Sequence, residues 1–284
     1  MKFSSFETSA GPSYGIATDT GLIDLKRRMP FPTLRALISA GATTQAVEFA
    51  GDKPDFAFTD VTLLPPVPDP SHIFCVGTNY LDHLTEVQDA GIDRKRAPYP
   101  AIFSRFADSF VGHGSPLLRP KVSQQFDFET ELAVIIGKPG RYIAEADAYS
   151  HVAGYTCLND GSIRDWQFHT GQITPGKNFY RTGSAGPWMV EARDISDPAS
   201  LEIQLRLNGA VLQHSNTKLL IFDIPSIIAY VSAISPLQPG DMIATGTPAG
   251  VGFSRKPPVF MQPGDVVEVE IAEIGILRNS VEAE

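Results

Sequence analysis

Residues 126–138 read FDFETELAVIIGK and place three carboxylates, those of Asp127, Glu129 and Glu131, at alternate positions ahead of an apolar run. Because successive side chains of a β-strand point to opposite faces, a strand here directs all three carboxylates from one face. Carboxylates this close repel in a partly desolvated cleft, and the remedies are a raised pKa or a hard cation such as Mg²⁺, Mn²⁺ or Ca²⁺. A solvated face paired with lysines is the alternative, which the apolar continuation disfavours. The stretch therefore predicts a metal site at the rim of a sheet.

The composition is that of a globular protein, with 284 residues, 43% of them apolar and 19% charged. The net charge of -9 predicts no nucleic-acid partner, because neutralising phosphates requires a basic face. No window approaches the roughly 20 apolar residues of a membrane-spanning helix, and the N-terminus lacks a signal-peptide layout. A cytoplasmic protein without membrane contact is expected. Cys75 and Cys157 lie in apolar runs, where buried reduced thiols are expected.

Strand-like runs outnumber helical patterns along the chain. The runs cover residues 72–76, 101–103, 131–136, 151–159, 186–190, 201–207, 242–245 and 266–271. Helical patterns cover residues 33–37 with a continuation toward 41, 80–86 and 162–167, and another begins at Pro225. These patterns predict an α+β protein that is rich in strands.

Four prolines between Pro65 and Pro70 divide the chain. Such a stretch is typical of a rigid extended linker, which predicts a small N-terminal domain over residues 1–68 and a larger domain over 69–284. Residues 88–100, QDAGIDRKRAPYP, are polar and locally basic. They form either a lid beside a site or a plain surface loop.

A second group of polar residues follows the apolar strand pattern at 151–159. Asp160 precedes a Gly-Ser turn and is a candidate third oxygen ligand, although an isolated Asp before Gly is usually a turn residue. Arg164 and Gln167 are three positions apart, so a helical turn presents both on one side, where they can hold an anion and stabilise an oxyanion. Lys177 follows a Pro-Gly turn that would project its ammonium group from a loop. The alternative is that Lys177 is a solvated charge on the surface.

His83 and Glu86 form an H-x-x-E pair on the helical pattern at 80–86. The carboxylate can orient the imidazole and raise its basicity, although such a pair more often faces solvent. No H-E-x-x-H motif or cysteine cluster indicates zinc, so the oxygen-rich set favours Mg²⁺, Mn²⁺ or Ca²⁺. The stretch TGTPAGVG lacks the Walker lysine, and its glycines favour close backbone approach, with Thr245 or Thr247 able to offer a hydroxyl to a ligand.

Six blocks in this order resemble the fumarylacetoacetate hydrolase family over the span from about Ile73 to the C-terminus. The blocks are GTNYLDHLTEV, FDFETELAVIIGK, GYTCLNDGSIRDWQ, GKNFYRTGSAGPWMV, LNGAVLQHSNT and PLQPGDMIATGTPAGVG. The resemblance implies a catalytic domain of mixed β-sandwich or roll type with a small N-terminal accessory domain. It also implies a homodimer with one divalent cation per subunit, most simply Mg²⁺.

The resemblance also assigns roles to individual residues. It makes Glu129, Glu131 and Asp160 metal ligands, and Asp127 a supporting residue held by a salt bridge. It makes His83 and Glu86 the dyad that activates water. It places Arg164, Gln167 and Lys177 around the reacting carbonyl and makes Thr247 a substrate contact.

The resemblance implies hydrolysis of a C–C bond in a β-diketo acid of the acylpyruvate type. His83 would take a proton from water, hydroxide would attack the distal carbonyl, and pyruvate would leave as its enolate. The same centre could serve an oxaloacetate-type decarboxylase or a hydroxymuconate-type isomerase. A non-catalytic protein that binds oxo acids is a further alternative.

Several positions depart from the family pattern, namely Arg105-Phe106, Gly161, Asn178 and Tyr180-Arg181. Two extra guanidinium groups, those of Arg105 and Arg181, could bind a second carboxylate. They predict a dicarboxylic substrate from the degradation of aromatic compounds, and surface positions for both arginines are the alternative.

Overall fold

The predicted excess of strands over helices is confirmed in the computed structural model, which describes residues 1–91 and 95–284. The strands are β1 Lys2–Thr8, β2 Gly11–Ala17, β3 Leu22–Asp24, β4 Thr62–Leu63, β5 Ile73–Gly77, β6 Ala101–Ser104, β7 Phe110–Val111, β8 Leu117–Arg119, β9 Phe126–Asp127, β10 Thr130–Ile136, β11 Val152–Asn159, β12 Ser162–Ile163, β13 Gly183–Glu191, β14 Glu202–Leu207, β15 Ala210–Asn216, β16 Met242–Ala244, β17 Val266–Ile271 and β18 Gly275–Ala283. The α-helices are α1 Leu34–Ser39, α2 Leu81–Asp89, α3 Arg164–Gln167, α4 Thr174–Lys177 and α5 Ile224–Ile234. Turns of 3₁₀ helix cover Leu25–Arg27, Thr43–Phe49, Phe58–Asp60, Ala107–Ser109, Glu145–His151, Ala192–Asp194 and Thr217–Leu219.

The largest sheet has the strand order β3-β2-β1-β13-β11-β10-β16-β5-β6, with β4 paired to β1 and β7 paired to β13. A second sheet has the order β15-β14-β17-β18-β8, and β12 pairs with β9 in a short ribbon. Side chains from β10, such as Val134, and from β14 and β17, such as Leu205 and Val269, share one buried cluster. The two larger sheets therefore pack face to face, as in a β-sandwich.

Residues 126–138 do not form one continuous strand, which corrects the prediction that a single strand carries Asp127, Glu129 and Glu131. Pairing stops after Asp127 and resumes at Thr130, because β9 pairs with β12 whereas β10 pairs with β11 and β16. All seven residues of β10 are buried, as expected for a central strand covered on both faces. After the break, Asp127 and Glu129 no longer belong to one strand, although both form ion pairs with the side chain of Arg164.

The N-terminal residues are joined to the rest of the protein through the large sheet. Strand β1 pairs with β13 at Lys2 and Phe3, so β1, β2 and β3 extend the sheet that contains β10 and β11. A buried apolar cluster also combines Phe3 and Tyr14 with Ile135 and Met189. The residues before the proline-rich linker thus share a sheet and a core with those after it, and the boundary at 68/69 stays a prediction.

Two further sequence predictions concern the cysteines and the membrane. Cys75 and Cys157 are free and buried, as predicted. Burial raises the pKa of both thiols, which keeps them protonated and unreactive. Among residues 1–91 and 95–284, none of the helices has the length and apolar character needed to cross a bilayer.

Four strand ends meet at one edge of the large sheet and define the candidate site. The start of β10 lies beside the end of β11, because these strands are antiparallel and Thr130 pairs with Asn159. Strand β16 runs parallel to β5, so the chain leaves both strands at the same edge. Polar side chains from distant parts of the sequence converge there.

The side chain of Asn79 connects the segment that follows β5 with the segment that follows β16. This fully buried side chain donates hydrogen bonds to the carbonyls of Phe222 (2.9 Å) and Thr245 (2.8 Å) and accepts one from the amide of Phe222 (2.8 Å). It thereby links the segment before α2 with the end of β16 and the chain before α5. The start of the helix that carries His83 is anchored in this way.

We expect Asn79→Ala to lower the free energy of unfolding by about 2–4 kcal/mol, because three buried backbone groups lose their partners. Denaturant titration followed by circular dichroism measures the change. The control is Thr85→Ala on the exposed side of α2, for which a change within about 0.5 kcal/mol is expected. Equal stabilities of the two variants would contradict the anchoring role of Asn79.

Candidate active site and metal centre

Three carboxylates meet where β10 begins and β11 ends. Oxygen atoms of Glu129, Glu131 and Asp160 lie within 4.8 Å of one another, and all three residues are buried. The backbone fixes the arrangement, because the amide of Asp160 donates to the carbonyl of Glu129 (2.9 Å) and the amide of Glu129 donates to Asn159 Oδ1 (3.0 Å). The structure thus brings together the three residues predicted as metal ligands.

Cationic side chains compensate two of these carboxylates. Lys177 Nζ lies 2.7 Å from both Glu129 Oε2 and Asp160 Oδ2, and Arg164 Nη2 lies 2.7 Å from Glu129 Oε1. Burial opposes ionisation of Glu129, but Lys177 and Arg164 outweigh it and hold the pKa of Glu129 well below its usual range. Lys177 is buried rather than solvated, and it ends helix α4.

Glu131 is the carboxylate without a cationic partner. Its Oε2 accepts a hydrogen bond from the amide of Gly246 (2.8 Å), and it forms no ion pair within the described residues. Burial, together with the charges of Asp160 and Glu129, raises the pKa of Glu131 well above its usual value. A divalent cation fits this observation, because it would neutralise Glu131 and use three oxygen donors of the type that hard cations prefer.

Asp127 lies behind the carboxylate cluster, and its predicted salt bridge is confirmed. Arg164 Nε donates to Asp127 Oδ2 (2.8 Å), and the amides of Gly252 (2.8 Å) and Phe253 (3.0 Å) donate to the same carboxylate. Arg164 Nη1 donates to Gln167 Oε1 (2.9 Å), which leaves the amide N–H groups of Gln167 to donate into the pocket. Asp127 therefore orients Arg164, and Arg164 orients Gln167.

His83 and Glu86 form the predicted pair on α2, with His83 Nδ1 2.9 Å from Glu86 Oε2. Glu86 Oε1 accepts hydrogen bonds from the amide of Gly250 (2.8 Å) and from Ser254 Oγ (2.6 Å). Burial opposes ionisation, but the hydrogen bonds from His83, Ser254 and Gly250 hold the pKa of Glu86 below its usual value. An ionised Glu86 at Nδ1 leaves Nε2 of the ring as the basic nitrogen.

Residues 246–254 form a loop that we call the glycine loop. Its hydrogen bonds to the carboxylates of the site were not predicted from the sequence. It supplies donors to three separate carboxylates, those of Glu131, Glu86 and Asp127. A Cβ at Gly252 would lie 1.8 Å from the carbonyl oxygen of Val259 and 2.5 Å from Asp127 Oδ1. The predicted close approach of the backbone at these glycines is therefore confirmed.

The pocket has a polar floor and apolar walls. His83, Glu129, Glu131, Arg164, Gln167, Lys177 and Thr247 contribute the polar lining. The rings of Phe103, Phe168 and Phe253 contribute to the walls. The ring of Phe253 lies 4.6 Å from the guanidinium carbon of Arg164, and that of Phe103 lies 5.3 Å from Lys177 Nζ. These aromatic residues were missed because nothing in their local sequence distinguishes a pocket wall from a core position.

Arg105 lies behind the pocket, which disagrees with its predicted contact to substrate. Its side chain is fully buried and donates to Asp160 Oδ1 (2.6 Å), Ser109 Oγ (3.1 Å) and Thr182 Oγ1 (3.2 Å). These protein groups occupy the guanidinium, so a substrate carboxylate cannot reach it without breaking an ion pair. Arg105 compensates the charge of Asp160 instead.

Arg181 and Asn178 also lie outside the pocket. Arg181 lines a separate groove together with His113 and Trp188, so the structure does not support its predicted substrate contact. Asn178 accepts from the amide of Phe106 (2.6 Å) and donates to backbone carbonyls. Of the positions that depart from the family pattern, Arg105 supports the site from behind through its ion pair with Asp160.

The predicted lid falls partly on residues 92–94, which lie outside the described residues. Within the described part, Gln88 and Asp89 belong to α2, and the ring of Tyr99 stacks on Tyr230 at 5.9 Å. Lys95 and Arg96 line a small cavity that shares Gly77 and Thr78 with the main pocket. The lid itself stays a prediction.

Comparison with known proteins places these features in a family. The family described as "Fumarylacetoacetate (FAA) hydrolase C-terminal" matches residues 72–282. The chain is 41% identical to the oxaloacetate tautomerase FAHD2A, mitochondrial, of Bos taurus over 281 residues, which is 96% of this chain and 88% of that protein.

Two solved structures share the fold over their full lengths. The fumarylacetoacetate hydrolase of Exiguobacterium antarcticum has a TM-score of 0.83 at 37% identity, covering 100% of both chains. The maleylpyruvate hydrolase of Sphingobium sp. SYK-6, solved with manganese(II) and pyruvate, has a TM-score of 0.82 at 29% identity, covering 100% of this chain and 99% of that one. The chain belongs to the fumarylacetoacetate hydrolase family.

Proposed function

We propose that this protein is a divalent-metal enzyme that removes a proton from carbon 3 of a small 2-oxo acid. The observation that carries the proposal is the cluster of three buried carboxylates within 4.8 Å, two of which, Glu129 and Glu131, line the same pocket as His83. A cation held there would, when bound, act as a Lewis acid and stabilise negative charge on the 2-oxo oxygen. The oxygen-only donor set favours Mg²⁺ or Mn²⁺.

The remaining chemistry falls to protein side chains. His83, held at Nδ1 by Glu86, is placed to accept the proton from carbon 3 at Nε2 and to return a proton to carbon or oxygen. Arg164 and Lys177 line the pocket, and their charges would favour an anionic substrate once a divalent cation offsets the carboxylates with which they pair. The free amide N–H groups of Gln167 can donate to the oxygen on which charge develops.

The reaction that we favour is keto–enol interconversion of oxaloacetate or a similar 2-oxo diacid. The oxaloacetate tautomerase of Bos taurus supports it, because the 41% identity extends over almost the whole chain. The reaction needs one proton removed from carbon 3 and one delivered to the enolate oxygen, which a single imidazole can perform. It requires no attacking water.

Hydrolysis of an acylpyruvate-type acid is the second candidate. The His83–Glu86 pair could equally take a proton from water, so that hydroxide adds to the distal carbonyl and the C–C bond breaks. Pyruvate would leave as an enolate and gain a proton at carbon 3. The maleylpyruvate hydrolase that shares the fold, solved with manganese(II) and pyruvate, supports this alternative.

An assay with purified protein separates the candidates. We expect rapid metal-dependent loss of the enol absorbance of oxaloacetate, without release of carbon dioxide, and little pyruvate from acetylpyruvate. Pyruvate from acetylpyruvate would favour the hydrolase, and carbon dioxide from oxaloacetate would favour a decarboxylase. Inactivity on both substrates, with retained metal binding, would favour an isomerase of other diacids or a protein that only binds oxo acids.

We expect His83→Ala to lower kcat by about 10²–10⁴-fold, because it removes the proton acceptor. The metal affinity should be unchanged, as measured by titration calorimetry with Mn²⁺. Thr85→Ala, two positions away on the exposed side of α2, is the matched control and should keep wild-type kcat. Unchanged turnover in His83→Ala would exclude the proposed role of the imidazole.

We expect Mg²⁺ or Mn²⁺ to stabilise the wild-type protein by about 2.7 kcal/mol at a concentration of 100 Kd, because only the folded chain assembles the three ligands. Glu131→Gln should lose this gain, since it removes one ligand and the charge that the cation neutralises. Thermal unfolding with metal and with EDTA measures both effects. The exposed Glu145→Gln is the control, and an equal gain in Glu131→Gln would exclude Glu131 as a ligand.

The oligomeric state and the cellular location of the protein are also matters of proposal. We propose a homodimer, which the sedimentation mass in solution tests directly. A cytoplasmic location stays a prediction, and the mammalian relatives carry the word mitochondrial in their names.

A further inference from the structure

Strand β15 reverses the usual burial of polar and apolar residues. Gln213 is only 1% exposed although its side chain is polar, whereas the apolar Val211 on the same strand is 53% exposed. The strand lies at the edge of its sheet, and a bulge interrupts its pairing with β14 between Gln213 and Val211. A buried amide at such a position needs hydrogen-bond partners that repay its desolvation.

The partners of Gln213 define the orientation of its amide. Oε1 accepts from the backbone amide of Thr130 (2.9 Å), and Nε2 donates to the carbonyl of Pro248 (2.8 Å) and to Thr247 Oγ1 (2.8 Å). A backbone amide can only donate and a carbonyl can only accept, so the amide cannot be flipped. The two N–H groups of Gln213 are therefore both used, one of them on the Thr247 hydroxyl.

This orientation decides what Thr247 can offer to a ligand. Its oxygen accepts from Gln213, and its single hydroxyl hydrogen has no acceptor in the described part of the chain. Thr247 lines the pocket beside His83 and Glu131. The hydroxyl of Thr247 is thus polarised as a donor and is available to donate a hydrogen bond to a ligand in the pocket.

We propose that Gln213 is a positioning residue that makes Thr247 a hydrogen-bond donor for an anionic oxygen of the substrate. The inference rests on the proposed function, because the carboxylate oxygens of an oxo acid accept but never donate hydrogen bonds. It extends that function by assigning selectivity: a ligand must present an acceptor at Thr247. A ligand that presents only a donor there, such as an ammonium group, is disfavoured.

The test measures binding of oxalate, a small dianion with only acceptor oxygens, to the Mg²⁺-loaded protein by titration calorimetry. Thr247→Val removes the hydroxyl and should weaken binding by about 10-fold to 100-fold, the range for a hydrogen bond to a charged group. Thr247→Ser keeps a hydroxyl and should restore most of the lost affinity. Thr247→Val with wild-type affinity, or Thr247→Ser as weak as Thr247→Val, would overturn the proposal.

Gln213→Glu tests the positioning role. It keeps the acceptor for Thr130, but its second oxygen cannot donate to the carbonyl of Pro248 and accepts the hydroxyl hydrogen of Thr247, which turns that hydrogen away from the pocket. We expect a similar loss of affinity for oxalate, and a smaller further loss when Gln213→Glu is added to Thr247→Val. Losses that simply add in the double variant would show that Gln213 acts independently of Thr247 and would overturn the positioning role.

Two controls keep the outcomes distinct. His214→Ala, exposed on the same strand, should leave the affinity for oxalate unchanged and reports on general disturbance of β15. If Gln213→Glu does not fold, Gln213→Met, which is neutral and of similar size, replaces it in the same comparison with Thr247→Val. Oxalate binding requires no turnover, so a wild-type protein that binds oxalate but is inactive on oxaloacetate would contradict the proposed function without removing this inference.

Discussion

Negative charge held out of water is the constraint on which the site depends. Four buried carboxylates meet three buried cationic side chains, namely Asp127, Glu129, Glu131 and Asp160 with Arg105, Arg164 and Lys177. One carboxylate, Glu131, remains without a cation. A divalent ion would correct this imbalance and leave these seven side chains with one excess positive charge, which suits an anionic oxo acid.

The glycine loop is the second element that makes this arrangement stable. Its backbone amides and Ser254 donate to three carboxylates that come from different strands and a helix. Backbone donors carry no mobile side chain, so they fix each carboxylate at little entropic cost. Side chains larger than hydrogen at Gly246, Gly250 or Gly252 would meet neighbouring atoms at 2.6 Å or less. The loop thus couples the His83–Glu86 pair on α2 to Glu131 on β10.

The residue pattern predicted some contacts well and others poorly. His83 and Glu86 meet because residues three positions apart on a helix lie on the same side. Asp160 meets Glu129 because Glu129 directly precedes β10, Asp160 directly follows β11, and these two strands are paired. The structure places Arg105 and Arg181 outside the pocket in which a substrate contact was expected for both. Their sequence neighbours are close to the site, but a guanidinium extends far enough that its direction depends on tertiary partners. Gln213 was missed because a polar residue on an edge strand usually faces solvent.

The sequence by itself determined the β-rich class, the approximate positions of many strands, the oxygen-donor chemistry and the family, because these follow from short-range periodicity and from ordered blocks of residues. Tertiary structure alone decided which carboxylate lacks a cation, which arginines face the pocket and which way the Thr247 hydroxyl donates. These properties depend on distances between residues that lie 30 to more than 100 positions apart in the chain. Coulomb energies and hydrogen bonds change sharply over one or two ångströms, and no local pattern records such distances.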